Sequence, residues 1–389
     1  MRSWAVRSPF WSMGFRPFFL LVIVFAVAVI VTWVLQFTGF SSHNFSPLTA
    51  SQWHANEMLF GFLMAAIIGF LLTASANWTG TRGVRGWSLL IIFGLFLLTR
   101  VVFWTTPFES IWVYRFVGVI VPTWLTFHLA KLFIKTKNRR NLIMIVPLST
   151  LIAGQMILLS SKYALGYELA LFSVRFLVIV IAGRVIPFFT KKALGLEPKW
   201  SCSLLEKLTI LSAFLLIFEP FYRDTFVGGQ IWVGLTFLAM ILNSFRLVNW
   251  RFFPSSKIGI LFVLYLAYLW LPIHFALNLA GHLGWFDDFG KAGLHSLAYG
   301  CLGIMILGII HRVSLGHTGR PIEAGRLALT AYAMIFLGSF LRVSGPLFMP
   351  VHYSWWMKSS GVLWSAAFFM VGIKMIPMLI GPRADGKKY

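Results

Sequence analysis

The sequence predicts an all-α, polytopic membrane protein, and its composition and apolar runs support this prediction. Of the 389 residues, 59% are hydrophobic and 11% are charged, and the mean hydropathy is +0.82. A soluble domain needs much less apolar material to fill its core. Twelve apolar runs approach the roughly 20 residues that a helix needs to span a bilayer. They cover residues 18–38, 54–76, 87–105, 111–134, 141–161, 165–189, 205–222, 228–250, 257–281, 291–314, 323–343 and 355–380.

The arrangement of these runs predicts one domain and its orientation. The connections are too short for a separate domain, so we expect residues 1–389 to form a single twelve-helix transmembrane domain. With the N-terminus inside, 25 of the 33 Lys and Arg residues fall at the inner helix ends and seven at the outer ends. Cytoplasmic segments of membrane proteins carry such an excess, so both the N- and C-termini are expected to be cytoplasmic.

The net charge and the cysteines exclude several classes of function. The formal charge of +22 is explained by the topology, so we exclude nucleic acid as a partner and expect the lipid bilayer to surround the chain. Cys202 and Cys301 lie far apart and lack a CxxC or CxxCH spacing. Neither a disulfide framework nor covalent c-type haem attachment is therefore predicted. The sequence specifies no oligomeric state.

The second apolar run begins with a histidine and a glutamate, in the segment SQWHANEMLFGF. His54, Glu57 and Met58 lie on one helical stripe by the i, i+3, i+4 rule. Ionisable groups in a membrane bundle usually face a partner or a cavity. The thioether of Met58 could bind copper(I) or haem iron, although methionine more often fills gaps in a core.

Three more histidines are expected toward the outer face. His274 and His282 share a face of the ninth predicted helix, and His295 begins the tenth. The expected topology places His54, His282 and His295 in one outer layer, with His274 roughly two turns deeper. An interhelical hydrogen bond is one interpretation of each histidine. The alternative is a shared metal or haem site, because neutral imidazole is a common ligand of iron, copper and zinc.

Three segments at the inner ends combine Gly or Pro with Arg and Thr, namely ANWTGTRG, GRVIPFFTKK and RVSLGHTGRP. Capping of helix C-termini is one interpretation of this composition. The other is that Arg184, Arg312 and Arg320 bind haem propionates or another anion. The second and tenth helices also resemble each other, from His54 to Thr79-Gly80 and from His295 to Thr318-Gly319. This likeness is consistent with a divergent internal repeat of the kind found in transporters.

A series of motifs along the chain resembles the NnrS family of bacterial inner-membrane proteins. The motifs are GFRPFFLL (14–21), WHANEMLFGF (53–62), GFLLTASANWTG (69–80), GRVIPFFT (183–190), HSLAYGCLGIMILGIIHRVSLGHTGRP (295–321) and LRVSGPL (341–347). The resemblance implies a twelve-helix protein of the bacterial inner (cytoplasmic) membrane that contains haem, which we take as haem b, and copper. It also implies a connection with denitrification and with relief of nitric oxide stress.

The resemblance assigns several residues to family motifs. His54 and Glu57 fall in the family's His-Ala-His-Glu-Met element, in which Asn56 stands in place of the second histidine. His295 heads the long Gly-rich helix, and His317 lies in the Leu-Gly-His-Thr-Gly-Arg turn.

These positions give a set of expected roles. We expect His54 and His295 to ligate haem iron. His274 and His282 are alternative haem ligands or copper ligands, and they rest on spacing and depth alone. Glu57 is the expected catalytic residue, because a carboxylate beside a ligating imidazole either orients its ring or carries protons.

Two functional classes remain open, with a third that is less favoured. The first is a haem- and copper-containing protein that binds or processes nitric oxide or nitrosyl species and protects against nitrosative stress, with an oxidoreductase as one form of it. The second is a transporter that exports a nitrosylated iron or thiol species and would need a polar path to both faces. The third is a scaffold for other denitrification proteins, for which the short loops offer little surface.

Overall fold

A computed structural model describes residues 8–40, 48–105, 108–285 and 289–387. Within these residues the chain is helical and contains no strand. Each of the twelve apolar runs coincides with a helix. The two chain termini, whose side of the membrane was predicted, lie outside the described residues.

The long helices of the described residues, which exclude the four-residue helix Phe252–Ser255, are numbered here in chain order. They are α1 (Phe15–Phe37), α2 (Ala50–Thr79), α3 (Trp87–Thr105), α4 (Ile111–Lys135), α5 (Arg139–Leu158), α6 (Tyr163–Leu194), α7 (Ser203–Leu215), α8 (Phe226–Asn249), α9 (Gly259–His282), α10 (Gly290–His317), α11 (Arg326–Phe348) and α12 (Tyr353–Ile380).

Eleven helices in the described part are long and apolar enough to cross a membrane, and α7 is the exception. It has 13 residues, or about 20 Å of helix against a hydrocarbon core of about 30 Å. Arg175 Nη2 donates a hydrogen bond of 2.6 Å to the carbonyl of Leu216, at the end of this helix. Pro220 follows and has no N–H for a further helical bond. The predicted span 205–222 is therefore a shorter helix followed by a turn.

Two helices contain a stretch of π-helix in their N-terminal halves. The stretch is Glu57–Leu63 in α2 and Ser296–Gly303 in α10. π-Helical turns are rare and occur frequently at functional sites. Each stretch has a glycine against which a side chain packs closely. A Cβ on Gly61 would lie 2.9 Å from Glu57 Oε2, and one on Gly300 would lie 2.5 Å from Trp270 Cγ.

The two π-helical stretches reveal the register of an internal repeat. The second stretch begins at Ser296, 239 residues after the first begins at Glu57. The same offset relates three further positions of α2, namely Gly61, Gly69 and Thr79-Gly80, to identical residues of α10. Those residues of α10 are Gly300, Gly308 and Thr318-Gly319. This register pairs His295 with Asn56 and not with His54.

Packing follows the same register. Gly69 of α2 contacts Phe18 and Phe19 of α1, and Gly308 of α10 contacts Val263 and Leu264 of α9. In each case the glycine lets the preceding long helix approach closely, because no Cβ intervenes. We call Phe15–Thr105 the first repeat and Gly259–Phe348 the second repeat.

The chain divides into two compact units. The first comprises Met1–Leu171, Ile310–Pro321 and Phe368–Tyr389, and the second comprises Phe172–Ile309 and Ile322–Ala367. The single-domain organisation stays a prediction. The candidate site residues of the first unit are His54, Glu57, Met58, Arg312 and Arg320, and those of the second are Arg184, His274, His282 and His295.

Candidate functional site

Glu57 is a fully buried carboxylate at the start of the π-helical stretch of α2. Its Oε1 accepts hydrogen bonds from Arg100 Nη1 at 2.7 Å and from Asn56 Nδ2 at 3.0 Å. Its Oε2 accepts one from Trp104 Nε1 at 2.8 Å. Arg100 and Trp104 are one turn apart in α3, so a single helix face supplies both. Three donors, one of them cationic, compensate the carboxylate for its lost water.

Aromatic side chains hold this pair in place. The Arg100 guanidinium lies 4.9 Å from the ring centroid of Phe103, and its Nε donates to Thr99 Oγ1. The buried Trp53 packs edge-on against Trp104 and donates from Nε1 to the carbonyl of Phe103 at 3.1 Å. The polar groups are thus fixed by packing as well as by hydrogen bonds.

His54 lies one turn before Glu57 in α2. Its ring stacks on Trp33 of α1, with centroids 4.6 Å apart and planes inclined by 21°. A capping box between Thr49 and Gln52 fixes the first turn of α2 and therefore the direction of this histidine. Met58, on the same stripe, is half-buried like His54. His54 and Glu57 are thus one turn apart in the chain, with His54 against Trp33 of α1 and Glu57 against Arg100 and Trp104 of α3.

A second polar cluster is buried in the second unit, around Arg175 of α6. Its Nη2 bonds to Glu219 Oε2 at 2.9 Å and its Nη1 lies 3.1 Å from His274 Nε2. All three residues are at most 2% exposed. Glu219 belongs to none of the sequence motifs described above. An arginine at the centre of an apolar run and a Glu-Pro pair at the end of another were the available signals, because each needs a partner inside the membrane.

The hydrogen bonds of His274 fix its tautomer. Nδ1 lies 2.7 Å from the carbonyl oxygen of Gly293, which only accepts, so Nδ1 carries the proton. Nε2 then accepts from Arg175 and from Asn278 Nδ2 at 3.2 Å. The lone pair that would bind a metal is therefore already used by two donors.

His295 has the same pattern of bonds. Its Nδ1 lies 2.8 Å from the carbonyl oxygen of Lys291, and its Nε2 lies 2.9 Å from Arg342 Nη2. The ring is therefore neutral and accepts from the guanidinium. His282, at the end of α9, is exposed, and its ring lies 5.2 Å from that of Trp232.

The family model of the NnrS protein matches residues 9–383, which is nearly the whole chain. The chain belongs to the NnrS family. No curated protein matches it. Membership confirms the resemblance drawn from the motifs. Together with the eleven apolar helices of the described part, it indicates a multi-pass membrane protein connected with nitric oxide stress.

The three arginines expected at the inner ends of this NnrS chain fall in both units. Arg184 is half-buried in α6 of the second unit. Arg312 is buried in α10, and Arg320 lies in the following turn of the first unit, where its Nη1 donates to the carbonyl of Thr318 at 3.4 Å. This last bond is the capping role that was one of the two interpretations. Binding of an anion by these residues stays a prediction.

The described residues of the NnrS chain fit haem better than they fit copper. In the part of the chain that the structure describes, no group of three or more His, Cys, Asp or Glu side chains is arranged to hold a metal ion. A copper site of that kind does not fit the described residues. Haem needs as little as one protein ligand. His54 is a candidate for that role, as are His274 and His295 of the second unit. Metal binding by those two histidines requires their bonds to arginine to open.

Proposed function

We propose that this NnrS protein binds or processes nitric oxide or a nitrosyl species at the His54–Glu57 end of α2, and so protects against nitrosative stress. The observation that carries the proposal is the buried Glu57, held by three donors one turn from His54 and at the start of a π-helical stretch. We infer a twelve-helix protein of the bacterial inner membrane with both termini cytoplasmic. Family membership supports this setting.

In this proposal His54 is the ligand of a haem b, and Trp33 sets the plane of its ring. Haem iron, when bound, supplies a site for diatomic ligands. Met58 is the further side chain on the same stripe. Arg100 and Trp104 hold the Glu57 carboxylate in one position, from which it orients the site or passes a proton. The described residues contain no group of three or more His, Cys, Asp or Glu side chains that could hold copper.

The visible spectrum of detergent-purified protein tests this proposal. Wild type should show a Soret band that shifts when nitric oxide is added. His54→Ala should lose the band, whereas His282→Ala, which removes an exposed imidazole, should keep it. A haem-free wild type from cells supplied with iron, or an unchanged band in His54→Ala, would contradict the assignment.

The internal repeat favours a second candidate, the export of a nitrosylated iron or thiol species. Transporter folds often consist of repeats whose irregular helices lie at corresponding positions and line the substrate site. The π-helical stretches of α2 and α10 have this relationship. Proteoliposomes loaded with S-nitrosoglutathione provide the test. Saturable, protein-dependent release from a haem-free preparation supports export, and release equal to that of empty liposomes opposes it.

A further inference from the structure

Arg100 and Arg342 occupy comparable places in the two repeats. Each lies on the helix that follows the π-containing helix, and each bonds to a residue at the start of the π-helical stretch. Arg100 reaches Glu57, 43 residues earlier, and Arg342 reaches His295, 47 residues earlier. The arrangement of helix, π-helical stretch and arginine is therefore similar in the two repeats, although Arg342 lies three residues after the position that corresponds to Arg100.

The counter-charge is not repeated. The residue that corresponds to Glu57 in the second repeat is Ser296, whose hydroxyl donates to the carbonyl of Gly293 at 2.7 Å. Trp270 covers Gly300, where Glu57 covers the corresponding Gly61. At the position of Ser296 the second repeat therefore has neither the carboxylate nor the space that it fills in the first.

Arg342 has neutral side-chain partners in the part of the chain that the structure describes. Nη2 bonds to Nε2 of the neutral His295 ring and to the hydroxyl of Tyr353 at 3.2 Å. Nε and Nη1 carry three further N–H donors. By contrast, each of three other arginines in the bundle has a carboxylate partner. These pairs are Arg100 with Glu57, Arg175 with Glu219 and Arg246 with Glu206.

A half-buried guanidinium without a counter-charge attracts anions. Burial removes part of its hydration, and an opposite charge restores the lost stabilisation. The side chain is also held in one position by His295 and Tyr353, so little freedom remains to be lost when a ligand binds. A planar anion with two oxygens matches the fork of N–H donors on a guanidinium better than a spherical or tetrahedral one.

We propose that Arg342, positioned by His295 and Tyr353, binds a small planar oxyanion of the carboxylate or nitrite class. The anion takes the part in the second repeat that the Glu57 carboxylate takes in the first. The site belongs to the second unit and involves neither His54 nor Glu57. The proposal therefore does not depend on the proposed function.

Thermal unfolding of detergent-purified protein tests this site. Sodium formate is titrated against sodium chloride at constant ionic strength, and nitrite is then used in the same way. The wild-type melting temperature should rise and saturate with either anion. Arg342→Gln should lose this response. Lys358→Gln removes an exposed cation of α12 and should keep it, so it controls for surface charge.

Additional variants and anions show which kind of anion binds and allow the test if Arg342→Gln does not fold. If Arg342→Gln does not fold, Arg342→Lys replaces it, and its midpoint for formate should be raised by about tenfold because the fork is lost. A response that never saturates, or that persists in Arg342→Gln, is a salt effect and overturns the proposal. A response that depends on Arg342 but arises with phosphate or with phosphatidylglycerol nanodiscs, and not with formate, overturns it in favour of a phosphate group.

Discussion

The carboxylate of Glu57 and the guanidinium of Arg100 form an ion pair of 2.7 Å with side chains 0% and 4% exposed. Both charges have left water, so each is stabilised mainly by the other and by its neighbouring donors or acceptors. A pair of this kind is weak evidence for stability as a whole. It is strong evidence that neither partner can be removed alone, because the remaining charge would be buried without compensation.

Glu57→Gln should therefore destabilise the protein by about 3–5 kcal/mol, the range for breaking a buried pair. The amide keeps the shape of the side chain and removes the charge that Arg100 needs. Thermal unfolding in detergent measures the effect. Glu197→Gln is the matched control, since its partner Lys191 and Glu197 itself are both largely exposed. That control should melt like wild type.

The double variant Glu57→Gln/Arg100→Gln gives an internal check on this reasoning. Removing both charges should recover part of the stability lost in Glu57→Gln, because no unpaired ion remains. If the stability lost in the double variant equals the sum of the losses in Glu57→Gln and Arg100→Gln, the side chains do not interact and the ion pair is not present in the protein.

The extent to which this site could be predicted depends on how local each interaction is. Apolar runs indicated each of α1 to α12, and the helical stripe placed His54 and Glu57 one turn apart, because both signals lie within one segment. No sequence motif gives Arg100 a partner. Its contact with Glu57 joins residues 43 positions apart, and the sequence does not specify which helices pack together.

Other structural features could not be predicted from the sequence, for related reasons. Periodicity in a uniformly apolar run does not distinguish α-helix from π-helix, so the wide turn at Glu57–Leu63 was not predicted. The spacing of His274 and His282 predicted a shared helix face, yet His274 is buried and His282 is exposed. The spacing carried no information about Gly293, whose carbonyl fixes the tautomer of His274. The short α7 depends on Arg175 from another helix.

Stacking on Trp33 should govern the environment of His54. Trp33→Leu removes a ring whose centroid lies 4.6 Å from that of the imidazole, and such contacts contribute about 0.5–1.5 kcal/mol beyond burial. We expect a lower melting temperature and, if His54 ligates haem, a displaced Soret maximum. Trp33→Phe keeps a ring and should restore most of both properties. Equal spectra and equal stability in wild type and Trp33→Leu would exclude this positioning role.

Glycine should be required in the second π-helical stretch. A Cβ at position 300 would lie 2.5 Å from two atoms of the Trp270 ring, so Gly300→Ala forces the buried indole or the helix to move. Overpacking of this kind costs about 1–3 kcal/mol. Gly94 in α3 has nothing within 4 Å of the same position, and Gly94→Ala should be neutral or stabilising because alanine favours helix. The melting temperature of Gly300→Ala should fall below that of wild type, and that of Gly94→Ala should stay the same or rise.

His274 separates a structural role from a metal-binding one. Because Gly293 fixes the proton on Nδ1 and both Arg175 and Asn278 donate to Nε2, we expect this ring to hold protein groups together. His274→Ala should lower the melting temperature, since Arg175 loses a buried acceptor. It should leave iron and copper per protein unchanged by mass spectrometry of the folded fraction. His54→Ala, by contrast, should lower the amount of iron per protein. Loss of metal in folded His274→Ala would mean that the bonds to Arg175 and Asn278 open when metal binds, and that the sequence-based assignment of this histidine was right.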